Sequence, residues 1–188
     1  MQTLRNHIAT ITALSENSWA ILQDCAVEVT FKRRALLLSE GEVCHTVFFI
    51  NEGLCRSFYN RDGQEVNTGF HFEHEFVTNI KSLRSSAGSE YTIQALEPCS
   101  IIKLEKTKLV EAYKRSREIE TFGRMVLESL SVQQQEHADS FKILTPKQRF
   151  DQLISARPDF LQRISLTQTA SYLAISRETL TRLRTEKK

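Results

Sequence analysis

The chain has 188 residues, 40% hydrophobic and 26% charged, with a formal net charge of +2. This is a globular composition, long enough to bury a sizeable core in one large domain or two small ones. No apolar run approaches the length of a membrane span, and the N-terminus lacks a basic-then-apolar leader, so a cytoplasmic protein with no membrane partner is expected.

The charge is unevenly placed. From Thr145 onward there are nine Lys/Arg against four Asp/Glu, a net of +5, while the preceding 144 residues carry a net of −3. A basic C-terminal part on a mildly acidic N-terminal part suggests a polyanion partner for the former. Cys25, Cys44, Cys55 and Cys99 show no C-x-x-C spacing, and only Cys44 adjoins a histidine, His45. That argues against zinc and iron–sulfur sites and for small buried thiols in a reducing compartment.

Leu4, Ile8, Ile11 and Leu14 recur every three to four residues, which predicts an amphipathic helix. Ser15 can cap a second helix that buries Trp19, Leu22 and Ala26. At Val27 the period changes to two: Val27, Val29 and Phe31 alternate with polar residues. Short strands are then expected over 35–38, 46–50, 54–59, 66–72, 76–77, 91–96 and 100–104. Gly41, Asn51-Glu52-Gly53, the hairpin signal Asp62-Gly63 and Pro98 punctuate them. Many short strands at regular spacing suggest a small barrel or sandwich.

The helical period returns at Thr107, with Leu109, Val110 and Tyr113 in a short helix. Ile119, Phe122, Val126 and Leu130 mark a longer one over about 118–139. Its narrow apolar stripe can pack on its own domain or on its twin. Thr145-Pro146-Lys147-Gln148 is a strong helix start: threonine as N-cap, proline at N1, and glutamine at N3 to close a capping box. Phe150, Leu153 and Ile154 give that helix a buried face, and Arg157-Pro158-Asp159 ends it.

After a short link, Leu166–Arg184 holds two helical patterns around a tight break. Thr167 can cap the first, and Ala170 and Leu173 form its inward edge. The small Ala170 lets two helices cross closely, as in a helix-turn-helix. Ser176 can cap the second, with Leu180 and Leu183 inward and Arg177, Glu178, Thr181 and Arg182 outward. Ile175 plugs the crossing. An outward face of this kind suits a DNA major groove, where Arg forks onto guanine O6 and N7 and Glu accepts from cytosine N4. An ordinary surface hairpin with a Glu178–Arg182 pair is the bland alternative.

In this order the pieces resemble the Crp/Fnr transcription regulators, over nearly the whole chain. Ile175-Ser176-Arg177-Glu178-Thr179-Leu180-Thr181-Arg182 looks like that family's recognition helix, and Val47–Leu54 resembles its hydrophobic run and glycine turn. The resemblance implies an α+β chain in three parts. A cyclic-nucleotide-binding-like β-roll with flanking helices covers 1–117, a dimerisation helix 118–140, and a helix-turn-helix domain 141–188. It implies base contacts by Arg177, Glu178 and Arg182, and pairing of two chains through Ile119, Phe122, Val126 and Leu130. Thr145, Thr167, Lys187 and Lys188 are candidates for phosphate contacts. The implied partners are double-stranded DNA and a second copy of the chain, with RNA polymerase a further candidate.

The departures bear on mechanism. Members of the family that bind cyclic AMP carry Gly-Glu for the ribose and Arg-Ser or Arg-Thr for the phosphate. Here Thr78-Asn79 and Ser89-Glu90 stand in those places, a degenerate nucleotide pocket without the forked arginine contact. Lys81, Arg84 or Arg56 could supply a replacement cation, but nothing in their spacing shows it. The β-roll fold is therefore expected without cyclic AMP binding and with no cofactor. Ala174 stands where such units often have glycine, which strains the turn if φ is positive. The sequence stops soon after the recognition helix, so contacts from a β-hairpin wing are not expected.

Two other function classes compete. A metal-dependent, cupin-like enzyme would need a ligand set, and His71-Phe72-Glu73-His74-Glu75 is the sole candidate cluster. On a strand it puts His74 opposite the other three, which does not make a cupin set, so no metal is expected. No Gly-rich phosphate loop and no Gly-x-Ser-x-Gly are present, so no catalytic residues are assigned and the chain is not expected to be an enzyme. A cyclic-nucleotide or small-molecule regulatory module without DNA binding is the remaining alternative, disfavoured by the basic, capped C-terminal helices.

Overall fold

The computed structural model describes residues 1–186, so Lys187 and Lys188 lie outside the described residues. The chain divides into two compact units: Met1–Ser57 with Phe70–Ser131, and Phe58–Gly69 with Val132–Lys188. The long helix thus belongs partly to each, and so does one β-hairpin.

The first unit begins with two helices, α1 (Gln2–Ile11) and α2 (Glu16–Asp24). The Ser15 hydroxyl accepts from the Ser18 N–H and caps α2 as the sequence suggests. Eight strands follow: β1 (Ala26–Phe31), β2 (Leu36–Leu38), β3 (Thr46–Glu52), β4 (Cys55–Arg61), β5 (Gln64–His71), β6 (Phe76–Val77), β7 (Thr92–Ala95) and β8 (Cys99–Glu105). They form two four-stranded sheets, ordered β1-β8-β3-β6 and β2-β7-β4-β5. This is the roll implied by the family resemblance; the strand spacing alone suggests a small barrel or sandwich. β1 is an edge strand and alternates between half-buried and exposed positions. In β3, by contrast, Thr46 to Ile50 are all buried, because the strand has a neighbour on each side and a cover on each face. From α1, the His7 ring packs tilted against Phe49 with centroids 5.4 Å apart, and Phe122 meets Phe76 edge-on at 5.8 Å.

Two elements interrupt or close the roll. The short α3 (Ile80–Ser85), between β6 and β7, is not foreseen by periodicity. It is fixed by its cap, with the Asn79 side chain accepting from the Ser82 N–H at 2.9 Å. After β8 come α4 (Lys106–Arg115) and the 27-residue α5 (Arg117–Ile143), which is longer at its C-terminal end than the sequence stripe suggests. The Glu118 carboxylate accepts from the Ser15 N–H at 2.8 Å and its hydroxyl at 2.9 Å, tying the first turn of α5 to the cap of α2.

The second unit contains α6 (Pro146–Ala156), α7 (Phe160–Arg163), α8 (Leu166–Tyr172) and α9 (Arg177–Glu186). α6 starts at the predicted capping box, with Thr145 and Gln148 bonding each other's backbone. α7 occupies the stretch read as a link. Phe150, Ala170, Leu173, Leu180 and Leu183 form the core of this unit. The turn of the β4–β5 hairpin belongs here too. Asp62 and Gly63 both take positive φ, 52° and 83°, as a two-residue hairpin turn requires. Near this end of the hairpin the Asn67 N–H donates to Ser171 Oγ at 3.0 Å, and the Ser171 hydroxyl donates to the Glu65 carbonyl at 3.2 Å.

Candidate nucleic-acid interface

α8 and α9 cross as a helix-turn-helix, and local chemistry explains each step of the turn. Leu173 closes α8 by donating its N–H to the Thr169 carbonyl. Ala174 then takes φ 52°, so the residue standing in a glycine position adopts the left-handed conformation. Ile175 donates its N–H to the Ala170 carbonyl at 3.0 Å, and its side chain packs on the core below the crossing. Ser176 Oγ accepts from the Thr179 N–H at 3.1 Å and caps α9. Ala170 is buried at the contact, as a close crossing needs.

One expectation is corrected here. Thr167 does not cap α8; Ser165 does, accepting from the Gln168 N–H at 3.3 Å. The helix starts two residues earlier than the apolar pattern suggests, and Thr167 is an exposed residue of its first turn.

Leu180 and Leu183 point into the core, leaving Arg177, Glu178, Thr181, Arg182 and Thr185 around one shallow depression of the outer surface. Thr185 is a lining residue that the sequence reading missed, although it lies four positions after Thr181 and therefore on the same face. The two threonine hydroxyls bond back to the helix, at the Arg177 and Thr181 carbonyls. Neither Arg177 nor Arg182 makes an ion pair with a described residue, so the Glu178–Arg182 pair of the bland reading does not form. The Glu178 carboxyl is held below its ordinary pKa by its own backbone N–H and the Ser176 hydroxyl, so it is ionised at neutral pH and accepts hydrogen bonds only. Thr145 is exposed at the start of α6.

In the roll, three of the four pocket candidates come together. Thr78, Asn79 and Ser89 are each 3% exposed. Their polar atoms are already engaged. Thr78 Oγ1 donates to the Thr46 carbonyl at 2.8 Å. Asn79 Nδ2 donates to Ser89 Oγ at 2.8 Å, while its carbonyl oxygen caps α3. The Ser89 hydroxyl donates to the Tyr91 carbonyl at 2.6 Å. Glu90 does not join them. It lies at the surface, where it forms an ion pair with Lys81, removing the first of the candidate replacement cations. Arg56 is buried and bonds Gln94 Oε1 through Nε and Nη2; Arg84 is exposed.

The expected pairing stripe also changes. Ile119, Phe122 and Val126 are 0%, 2% and 6% exposed within this one chain, part of the same core as the roll. They cannot be the surface that meets a second chain. Leu130 is only partly covered, and so is Leu127, which the stripe did not include. Leu127 borders an apolar groove of about 290 Å³ whose walls include Val47, Phe76, Leu104, Leu109 and Val110. No group of described residues could hold a metal ion, and His71 bonds Ser57 instead, Nε2 to Oγ at 2.8 Å.

Residues 28–116 match the model of the Cyclic nucleotide-binding domain family. The fold, with its roll, long helix and helix-turn-helix, is similar to that of several solved transcription regulators. FixK2 from Bradyrhizobium japonicum superposes with a TM-score of 0.72 at 18% identity, over 86% of this chain and 83% of that one. The c-di-GMP-responsive global regulator CLP of Xanthomonas campestris gives 0.71 at 14% identity, over 92% and 91%. A transcriptional regulator assigned to the crp/fnr family from Eubacterium rectale gives 0.71 at 14%, over 95% and 85%. No curated protein matches the chain in sequence. Among the described residues, no helix is long and apolar enough to cross a membrane.

Proposed function

We propose that the chain is a sequence-specific, DNA-binding transcription regulator that acts as a homodimer on a near-palindromic operator and is not controlled by cyclic AMP. The observation that carries this reading is the outer face of α9. Arg177, Glu178 and Arg182 are exposed, and neither arginine makes an ion pair among the described residues, on a helix whose opposite face is anchored by Leu180 and Leu183. Two forked donors and one pure acceptor are the chemistry that reads guanine and cytosine edges. Thr145 and Thr167, exposed in or beside the first turns of α6 and α8, are the candidate phosphate contacts through their hydroxyls; Lys187 and Lys188, outside the described residues, are candidates by their charge alone. The regulators of similar fold support the assignment.

The test is selection of binding sites from random duplex DNA, followed by titration of the selected site. Arg182→Ala is expected to cost about 1–3 kcal/mol on that site and to relax base preference at one position of each half-site. Thr145→Ala is expected to weaken binding to all sequences alike. Failure to enrich any sequence, or an equal loss on selected and random DNA for Arg182→Ala, would refute base reading.

A further inference from the structure

Cys55 and Cys99 come from different sheets of the roll. Cys55 opens β4 in the β2-β7-β4-β5 sheet, and Cys99 opens β8 in the β1-β8-β3-β6 sheet. Their sulfurs face each other at 3.9 Å, both buried and both free thiols. The approach depends on Gly53: a side chain there would place its Cβ 2.7 Å from Cys99 Sγ and 2.6 Å from the Pro98 carbonyl oxygen. Cys25 and Cys44 have no such neighbour. Cys25 Sγ bonds the Ile21 and Lys108 carbonyls, and Cys44 Sγ bonds the Thr46 carbonyl and Thr78 Oγ1.

We propose that Cys55 and Cys99 are a peroxide-oxidisable pair that closes to a disulfide and staples the two sheets of the roll. Closing the gap to a bonded length of about 2.05 Å takes side-chain rotation and a shift of under about 2 Å. The chemistry starts at Cys99, which directly follows the exposed Pro98 and is therefore the thiol nearer the surface. Its sulfur also receives the Cys55 S–H, which lowers its pKa and raises that of Cys55. The Cys99 thiolate attacks one oxygen of hydrogen peroxide; the O–O bond breaks, leaving a sulfenic acid and one water. The Cys55 sulfur then displaces the hydroxyl of that sulfenic acid, forming the S–S bond and a second water. Two thiols give up two protons and two electrons, and the peroxide takes them.

The disulfide would act on a strand that leads to the reader. β4 runs from Cys55 to Arg61, into the hairpin whose Glu65 and Asn67 bond Ser171 of α8. Control of DNA binding by this oxidation rests on the DNA-binding reading above; the disulfide itself does not.

The experiment treats the full chain with hydrogen peroxide, with and without later dithiothreitol. Intact mass and non-reducing peptide maps identify the product, thermal melting reports the staple, and titration with the selected DNA site reports the consequence. The expected product is a monomer lighter by two hydrogens, with Cys55 linked to Cys99. Its melting temperature should rise by about 5–10 °C, reversed by dithiothreitol. Its DNA affinity should change about fivefold or more. Cys55→Ser should gain oxygen at Cys99 and form no link; Cys55→Ala replaces it if the serine variant does not fold, and the wild-type map decides without either. A link through Cys25 or Cys44, an intermolecular link, or oxygen addition without a link would overturn the proposal. Unchanged DNA affinity in the linked protein would overturn the regulatory consequence alone. A reduced protein that binds no DNA would instead count against the DNA-binding reading, with the mass and melting data still deciding the staple.

Discussion

At the scale of single residues, short-range chemistry sets the turn between α8 and α9: a left-handed Ala174, an Ile175 packed on the core and a Ser176 cap. The Thr145 box, the Ser176 cap, the Leu180–Leu183 anchor and the Ile175 plug all follow from short-range rules, and each is found in place. Cap chemistry could still mislead by two positions, since Ser165 and Thr167 have the same side-chain chemistry and only the backbone chooses between them. Glu90 shows the limit more sharply. Both lie in the loop before β7, where Ser89 is buried while Glu90 turns to solvent and Lys81. Ala174 is the residue whose cost can be measured. Its left-handed φ of 52° is disfavoured for any side chain with a Cβ. Because the position is exposed, Ala174→Gly removes that strain without opening a cavity. It is expected to stabilise the chain by about 0.5–1 kcal/mol in denaturant unfolding, partly offset by glycine's freedom in the unfolded state, and to leave DNA affinity unchanged. Destabilisation would mean that the alanine methyl contributes packing that the turn needs.

At the scale of elements, strands and long helices declared themselves by period, and short helices did not. α3 spans six residues with two apolar positions, Ile80 and Leu83, which is too few for a helical period to stand out between strands. What defines it is the Asn79 cap, a tertiary choice as much as a local one. That element bears on the proposed lack of cyclic AMP control, in which the sequence alignment puts Asn79 and Ser89 at the nucleotide-binding positions. Asn79 occupies the place of the ribose-binding glutamate, and it is held by the α3 N-terminus on one side and Ser89 on the other. Ser89 occupies the place of the phosphate arginine and donates to a backbone carbonyl. A cyclic phosphate entering here would find no forked cation and would have to break buried hydrogen bonds. Calorimetric titration with cyclic AMP should therefore give no saturable heat up to millimolar ligand, and the nucleotide should leave DNA binding unaltered. Micromolar binding would require α3 to reorganise and would sink this account.

At the scale of the whole molecule, periodicity identifies a stripe on α5 but not what the stripe meets. Ile119, Phe122 and Val126 have the spacing of a coiled-coil seam, yet the roll covers them because Phe76 and the strands behind it need an apolar lid. In the proposed homodimer, pairing would fall to the next positions around the helix, Leu130 and Leu127, both half-covered, with Leu127 bordering the apolar groove. A matched pair of substitutions separates the two roles. Ile119→Ala empties a fully buried site and should cost about 2–5 kcal/mol of folding stability at every protein concentration. Leu130→Glu keeps a good helix former and adds a charge at a half-covered position, so folding should change little. Sedimentation should show it as a monomer at micromolar concentration where the parent is a dimer. Its affinity for the two-half-site operator should fall about a hundredfold or more, because the second half-site is no longer engaged intramolecularly. A Leu130→Glu protein that still sediments as a dimer would move the pairing surface off this face of α5, and an Ile119→Ala protein whose only defect is dissociation would return it to the original stripe.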